Sequence, residues 1–218
     1  MRAIKQIAYN RSTRQKKIEY IVIHDTGNIG KGANAESHFK YFNGGDRNAS
    51  ADFFVDDTQA LCVNDYYKYY TWHCGDGKGK YGISNSNSIG IEICVNSDCD
   101  IKKAVENTII LVKELMKELN IPIERVVRHY DASRKNCPNS MKKNDWAEWH
   151  IFKQKLIKEE EEIGMRYDKI DDVPYYARPT ITKLLDKGLL KGDDDGRLNL
   201  SDDMLRVFVV LDRNKTFE

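Results

Sequence analysis

The sequence predicts an α/β domain, a central mixed β-sheet flanked by helices, followed by a small and mainly helical C-terminal module. Three observations predict it. Residues 19–25 centre on Ile21, Val22 and Ile23, a short β-branched run of the kind found in strands buried on both faces. Residues 88–96 alternate, with Ile89, Ile91, Ile93 and Val95 on one side and Gly90, Glu92 and Cys94 on the other, the period of two that marks a strand. Strands and helical patterns are interleaved up to residue 164, as in α/β domains, whereas residues 165–218 follow a pattern of their own.

In chain order, the strand at 19–25 ends on His24 and Asp25 and gives way to a polar, glycine-containing loop, a place where side chains can meet a ligand. Residues 34–42 read as a helix, with His38, Phe39 and Phe42 on one side. Residues 51–57 and 60–63 read as two strands joined by a turn, and 88–96 follow as the alternating strand. Asp100 caps a long helix through Leu119, whose apolar stripe is read as Ile101, Val105, Ile109, Val112, Met116 and Leu119, and Asn120 and Pro122 end it. Residues 123–128 form a short strand leading into a loop at 129–138. Asn144 or Asp145 caps a further helix with Trp146, Trp149, Phe152 and Leu156 as its apolar face. That helix runs into a charged tail at 158–162 and stops at Gly164, which marks a boundary. The expected organisation is a catalytic domain at 1–160, a linker at 161–170 and a module at 171–218, without internal repeats.

The composition is compatible with this division. A chain of 218 residues allows one ordinary domain plus a small module. A mean hydropathy of −0.65 and the absence of a long apolar run argue against membrane insertion. Lys and Arg number 35 against 34 Asp and Glu, and a net charge of +1 argues against a nucleic-acid partner, since phosphate binding wants a basic face. Residues 1–17 hold no apolar stretch of signal-peptide length, so the expectation is synthesis in the cytoplasm with thiols kept reduced, and five cysteines could not all pair in any case.

The residues that carry chemistry are His24 and His129, each at a strand end, and Cys137, eight positions after His129. Two imidazoles and a thiolate are good zinc ligands and leave a fourth position for a water that ionises near neutral pH. Ligands drawn from distant segments suit a pre-built catalytic site better than a zinc finger. The spacing alone leaves the plainer reading open: two satisfied histidines and a cysteine acting as a small buried hydrophobe. Glu92 lies opposite the isoleucines of its strand, either as a general base beside the metal or on a face that meets solvent. Lys135 is either a fixed cation for an oxyanion or a solvated loop lysine. Residues 71–77, with Trp72 and His73, are either a ligand-contacting loop or a surface turn, and Cys62, Cys74, Cys94 and Cys99 are read as structural.

Five blocks in fixed order carry a resemblance: IVIHDT at 21–26, SADFFVDD at 50–57, TWHCGDG at 71–77, NSIGIEIC at 87–94, and RHYD at 128–131 with KNCP at 135–138. Together they resemble the zinc-dependent type 2 N-acetylmuramoyl-L-alanine amidases, the fold shared with peptidoglycan-recognition proteins, and most of all the endolysins of phages and prophages of Gram-positive hosts. The resemblance spans roughly residues 15–160. It implies that His24, His129 and Cys137 bind Zn2+, that Glu92 is the general base, that Lys135 stabilises the transition state, and that Trp72 and His73 line the substrate groove. The implied reaction is hydrolysis of the amide between the lactyl group of N-acetylmuramic acid and L-alanine in peptidoglycan, causing lysis of the host cell after release. Some members carry a catalytic tyrosine where this chain has Phe53, which leaves Glu92 and Lys135 to share the task unless Tyr41 or Tyr130 approaches the site.

Residues 172–200, followed by an apolar helix, are similar to one S-layer-homology repeat, a helix–loop–helix unit that binds secondary cell-wall polymer. The chain has one copy where three are common, and Ser201, Asp202, Asp203 and Met204 replace the usual Thr-Arg-Ala-Glu stretch. The plain alternative is a small helical module with Leu190, Leu198 and Leu200 as its core, and residues 193–196 are read as a turn rather than a calcium loop. At about 54 residues the module is near the lower limit for folding alone, so a homo-oligomer through it, or packing on the catalytic domain, is expected. Two other functions stay open: a non-catalytic peptidoglycan-binding protein of the same fold, which typically lacks the cysteine ligand, and a cytoplasmic muropeptide-recycling amidase, which has no use for a wall-binding module.

Overall fold

A computed structural model describes residues 3–157 and 166–217. The charged tail at 158–162, the stop at Gly164 and the boundary at 160 lie outside the described residues. The chain divides into two compact units, Met1–Lys158 and Glu159–Glu218. No helix of the described residues is long and apolar enough to cross a membrane.

The first unit is built on β1 (Ala3–Ile4), β2 (Arg11–Thr13), β3 (Tyr20–Asp25), β4 (Phe53–Val55), β5 (Ala60–Cys62), β6 (Tyr69–Thr71), β7 (Ser88–Ile93) and β8 (Val126–Arg128). Its helices are α1 (Ala35–Asn43), α2 (Ile101–Leu119), α3 (His129–Ser133) and α4 (Lys143–Ile157). Six strands form one sheet in the order β1-β5-β4-β7-β3-β8, and β2 pairs with β6 in a second. The large sheet is mixed: β3 runs parallel to β7 and β8, β4 runs parallel to β7, and the hairpin partner β5 is antiparallel to β4. β1 and β2 fall in the segment whose sequence is polar and unpatterned; their partners β5 and β6, not their own residues, make them strands.

β7 reads as one apolar and one polar face, but Ser88 and Gly90 are buried too and Glu92 is half-buried, because the second face is where the site is assembled. The first face of the sheet carries Ile21, Ile23, Phe53, Val55, Ile89, Ile91 and Ile93, packed with α2 and α4 into the main core. α2 begins where its cap was expected, with the Asp100 carboxylate accepting from the backbone N–H of Lys102 and Lys103. Of the stripe read from large residues, Ile109 and Val112 are buried and Val105, Met116 and Leu119 pack against the core, while Ile101 stays 42% exposed; Ala104, Thr108, Leu111 and Leu115 are buried with them. The small Ala104 and the self-satisfied Thr108, whose hydroxyl bonds the Ala104 carbonyl at 2.8 Å, let the helix lie close.

Residues 129–138, expected as a loop, begin with the short helix α3. At α4, Asn144 and Asp145 do not form the expected cap. Both adopt left-handed backbone angles, as does Trp146, so the chain bends there before the regular turns that bury Trp149, Phe152 and Leu156.

Among its described residues the second unit has two α-helices, α5 (Arg178–Asp186) and α6 (Asp202–Arg213), with the Ser201 hydroxyl capping α6 at the Met204 amide. Its core is Tyr167, Val173, Ala177, Ile181, Leu184, Leu200, Leu205 and Val209. Leu190 and Leu198, expected at its centre, pack only at the edge. Tyr167 and Ile170 fall inside the expected linker but belong to this core, Tyr167 through a bridge to Leu200. Residues 193–196 form the expected turn, closed by the Gly196 amide on the Asp193 carbonyl at 2.8 Å.

Candidate metal centre and active site

Strand register brings the site together. Parallel pairing sets His24 of β3 beside Glu92 of β7, and Phe54 of β4 beside Glu92 on its other side. All three side chains emerge on the sheet face opposite the main core and line one cavity. β8 pairs with β3 just upstream and delivers His129 as the first residue of α3. The chain then loops back, held by the Tyr130 amide on the Cys137 carbonyl at 3.0 Å and by the Ser140 amide on the Asp25 carboxylate at 2.6 Å. These bonds place Cys137 over the end of β3.

His24, His129 and Cys137 are all buried, and each offers one ligand atom within 4.8 Å of the others. His24 Nδ1 lies 3.8 Å from Cys137 Sγ and 3.9 Å from Glu92 Oε1. His129 Nε2 donates to Asp76 Oδ1 at 2.8 Å, and Asp76 also accepts from the Ser133 hydroxyl at 3.0 Å. The opposite ring nitrogen, His129 Nδ1, is buried without a hydrogen-bond partner, as is Glu92 Oε2. Burial raises the Cys137 thiol to about 12, with the Glu92 charge adding to it. Burial, then the charges of His129, His73 and Lys135, push the His24 ring well below the usual imidazole range. Burial also lifts Glu92 to about 8, with Asp25 adding and Lys135 opposing. Two ring nitrogens and a sulfur, one of the nitrogens orphaned and the sulfur in need of a cation to ionise, fit a zinc ion with three protein ligands and a fourth position for water.

The other expected residues fall around this centre. Lys135 lines the same cavity and the groove that continues from it. Trp72 forms part of the groove wall, its indole N–H donating to the Ser12 hydroxyl at 3.1 Å. His73 borders the cavity but is mostly covered, its Nδ1 3.0 Å from His24 Nε2 and its Nε2 3.1 Å from the Ser88 hydroxyl. Burial lowers the His73 ring to about 3, so it is neutral.

Phe53 points into the main core, and the residue of β4 that faces the site is Phe54, stacked on His38 of α1. Tyr41 and Tyr130 do not line the cavity, and Tyr130 packs against Trp146. Sequence reading gave no role to Asp76, Ser88 or Gly90. Asp76 lies inside the TWHCGDG block, but nothing local marks it as the partner of a histidine 53 residues away. Among the described residues none of the cysteines forms a disulfide.

The signature of the N-acetylmuramoyl-L-alanine amidase family (Amidase_2) matches residues 14–140. The chain is 43% identical over 125 residues to the N-acetylmuramoyl-L-alanine amidase CwlH of Bacillus subtilis, covering 56% of this chain and 48% of that protein. It therefore spans about half the length of that curated relative. The solved catalytic domain of XlyA superposes with a TM-score of 0.62 at 37% identity, over 70% of this chain and 98% of that one. A mutant endolysin from Bacillus subtilis superposes with a TM-score of 0.63 at 38% identity, over 72% and 99%. The signature covers more than half of the chain and contains every block that builds the site, so the chain belongs to the N-acetylmuramoyl-L-alanine amidase family.

Proposed function

We propose that the chain is a zinc-dependent amidase that hydrolyses the bond between the lactyl carbonyl of N-acetylmuramic acid and L-alanine in peptidoglycan, in the manner of an endolysin. The observation that carries this reading is the convergence of His24, His129 and Cys137, with His129 Nδ1 orphaned, beside Glu92 and Lys135 in one cavity. The chemistry zinc supplies when bound is Lewis-acid polarisation of a carbonyl and acidification of a water. Glu92 takes the proton of the attacking water as the C–O bond forms and returns it to the departing alanine nitrogen as the C–N bond breaks. Its buried carboxyl, lifted toward neutrality, is suited to both transfers. The Lys135 ammonium stabilises the negative charge that develops on the carbonyl oxygen. Trp72 supplies an apolar wall for the glycan-peptide strand along the groove. Phe54 takes the cavity-facing position on β4, so that strand brings no phenol to the site and Glu92 and Lys135 share the task.

In this reading residues 171–218 bind the secondary polymer of the wall, as one S-layer-homology-like module, and a second copy of the chain can pair through it. The exposed Tyr175, at 90%, and Tyr176 give it aromatic surface suited to sugars. The enzyme acts on the host wall after release from the cell.

Digestion of purified Gram-positive peptidoglycan followed by mass spectrometry of the products tests the activity. The expected products carry a free muramic lactyl carboxylate and a free alanine amine, and they vanish on chelation and in Cys137→Ala. Cleavage at another bond, or full activity of metal-free Cys137→Ala, refutes the reading.

A further inference from the structure

We propose that His73 is a positioning residue: a chain of hydrogen bonds from Ser84 through Ser88 and His73 sets the tautomer of His24, so that His24 presents Nδ1 as a lone-pair donor. This rests on the reading of His24 as a metal ligand. The chain is deduced from its far end. The Ser84 carbonyl can only accept, and it lies 2.6 Å from Ser88 Oγ, so the single hydroxyl proton of Ser88 is committed there. Ser88 Oγ then has only lone pairs to offer His73 Nε2 at 3.1 Å, which puts the His73 proton on Nε2. Cys74 Sγ, 3.9 Å from the same oxygen, is a further donor and does not compete. His73 Nδ1 is thereby an acceptor, and it receives the N–H of His24 Nε2 at 3.0 Å. The lone pair of His24 is left on Nδ1, the nitrogen that faces Cys137 Sγ at 3.8 Å.

The surroundings enforce this arrangement. His24, His73 and Ser88 are buried, and the paired nitrogens already face one another or the Ser88 hydroxyl. Gly90 lies under the His73 ring, where a Cβ would come within 2.5 Å of His73 Cγ; the strand makes room for the imidazole at that residue. His129 reaches the same outcome by a different device, the Asp76 carboxylate on its Nε2. Both imidazoles thus expose Nδ1, one held by a carboxylate and the other by a neutral relay. Partners of this kind fix ring orientation and tautomer for metal-binding histidines.

Two measurements test the relay. Long-range 1H–15N correlation spectra of the metal-free full chain read ring protonation directly, and His24 and His73 are both expected to carry hydrogen on Nε2. A proton on Nδ1 of His73 overturns the proposal. Zinc affinity, measured by competition with a chromophoric chelator, is expected to fall by roughly 10–100-fold in His73→Ala. His73→Gln, which keeps an acceptor oxygen, is expected to lose less. Equal affinity in wild type and His73→Ala overturns the proposal. A wild-type chain that takes up no zinc overturns the metal reading instead, and the ring-protonation spectra, which need no metal, tell the two failures apart.

Discussion

Gly90→Ala tests how tightly the fold and the site are joined. A Cβ on Gly90 would stand 2.5 Å from His73 Cγ, 2.8 Å from Nδ1 and 2.9 Å from Cβ, so it meets the root of the ring and not a flexible tip. Restoring ordinary contact of about 3.4 Å requires His73 to move by about 0.9 Å. If that motion is away from His24, the bond to His24 Nε2, now 3.0 Å, stretches to about 3.9 Å and is lost. Overpacking of this kind costs about 1–3 kcal/mol. The lost hydrogen bond costs about 0.5–1.5 kcal/mol, and the relief of glycine's backbone entropy in a strand returns about 0.5–1 kcal/mol. The last two nearly offset each other, leaving a net loss of about 1–3 kcal/mol. Urea denaturation followed by tryptophan fluorescence measures it, because Trp72, Trp146 and Trp149 all belong to the first unit. An unchanged midpoint together with unchanged zinc affinity refutes the reasoning, since it means that His73 is not held against β7.

Other perturbations separate the parts of the molecule. Lys135→Met is expected to lower kcat by about 10²–10³-fold with zinc still bound, as loss of a single oxyanion-stabilising group does, and metal analysis beside steady-state kinetics checks both halves. Asp100→Ala removes the acceptor for the Lys102 and Lys103 amides and is expected to cost about 1 kcal/mol in thermal unfolding, with no change in metal content. Leu184→Ala, in the core of the second unit, is expected to cost about 2–5 kcal/mol, comparable to the whole stability of so small a unit. Amide exchange at Ile181, Leu200 and Leu205 should then approach that of unfolded chain while the core amides of the first unit stay protected.

Much of the first unit was legible because its signals are local. The β-branched run at Ile21 to Ile23, the alternation from Ile89 to Ile93 and the cap Asp100 each act within a few residues, and the two strands and the helix appear where those signals lie. The misread elements depend on distant partners. β1 and β2 exist because β5 and β6 offer open edges. The buried stripe of α2 runs through Ala104 and Thr108, which a search for large apolar residues passes over. Tyr167, inside the segment expected as a linker, gains its burial through a bridge to Leu200, 33 residues on, which no local pattern signals.

The candidate site divides the same way. His24, Glu92, His129, Lys135 and Cys137 were nameable as candidates from residue type and order, but type alone left a plainer reading of each open, and only the resemblance of five ordered blocks to a known family chose between them. Which atoms they offer was decided in three dimensions. Parallel register set His24 beside Glu92, the cavity-facing place on β4 went to Phe54 while Phe53 turned to the core, and Asp76 and His73 came to lie behind the two imidazoles. A side chain's type is written in one position of the chain. Its neighbour, its tautomer and the face it shows are properties of segments that meet only when the sheet closes, and no local pattern encodes them.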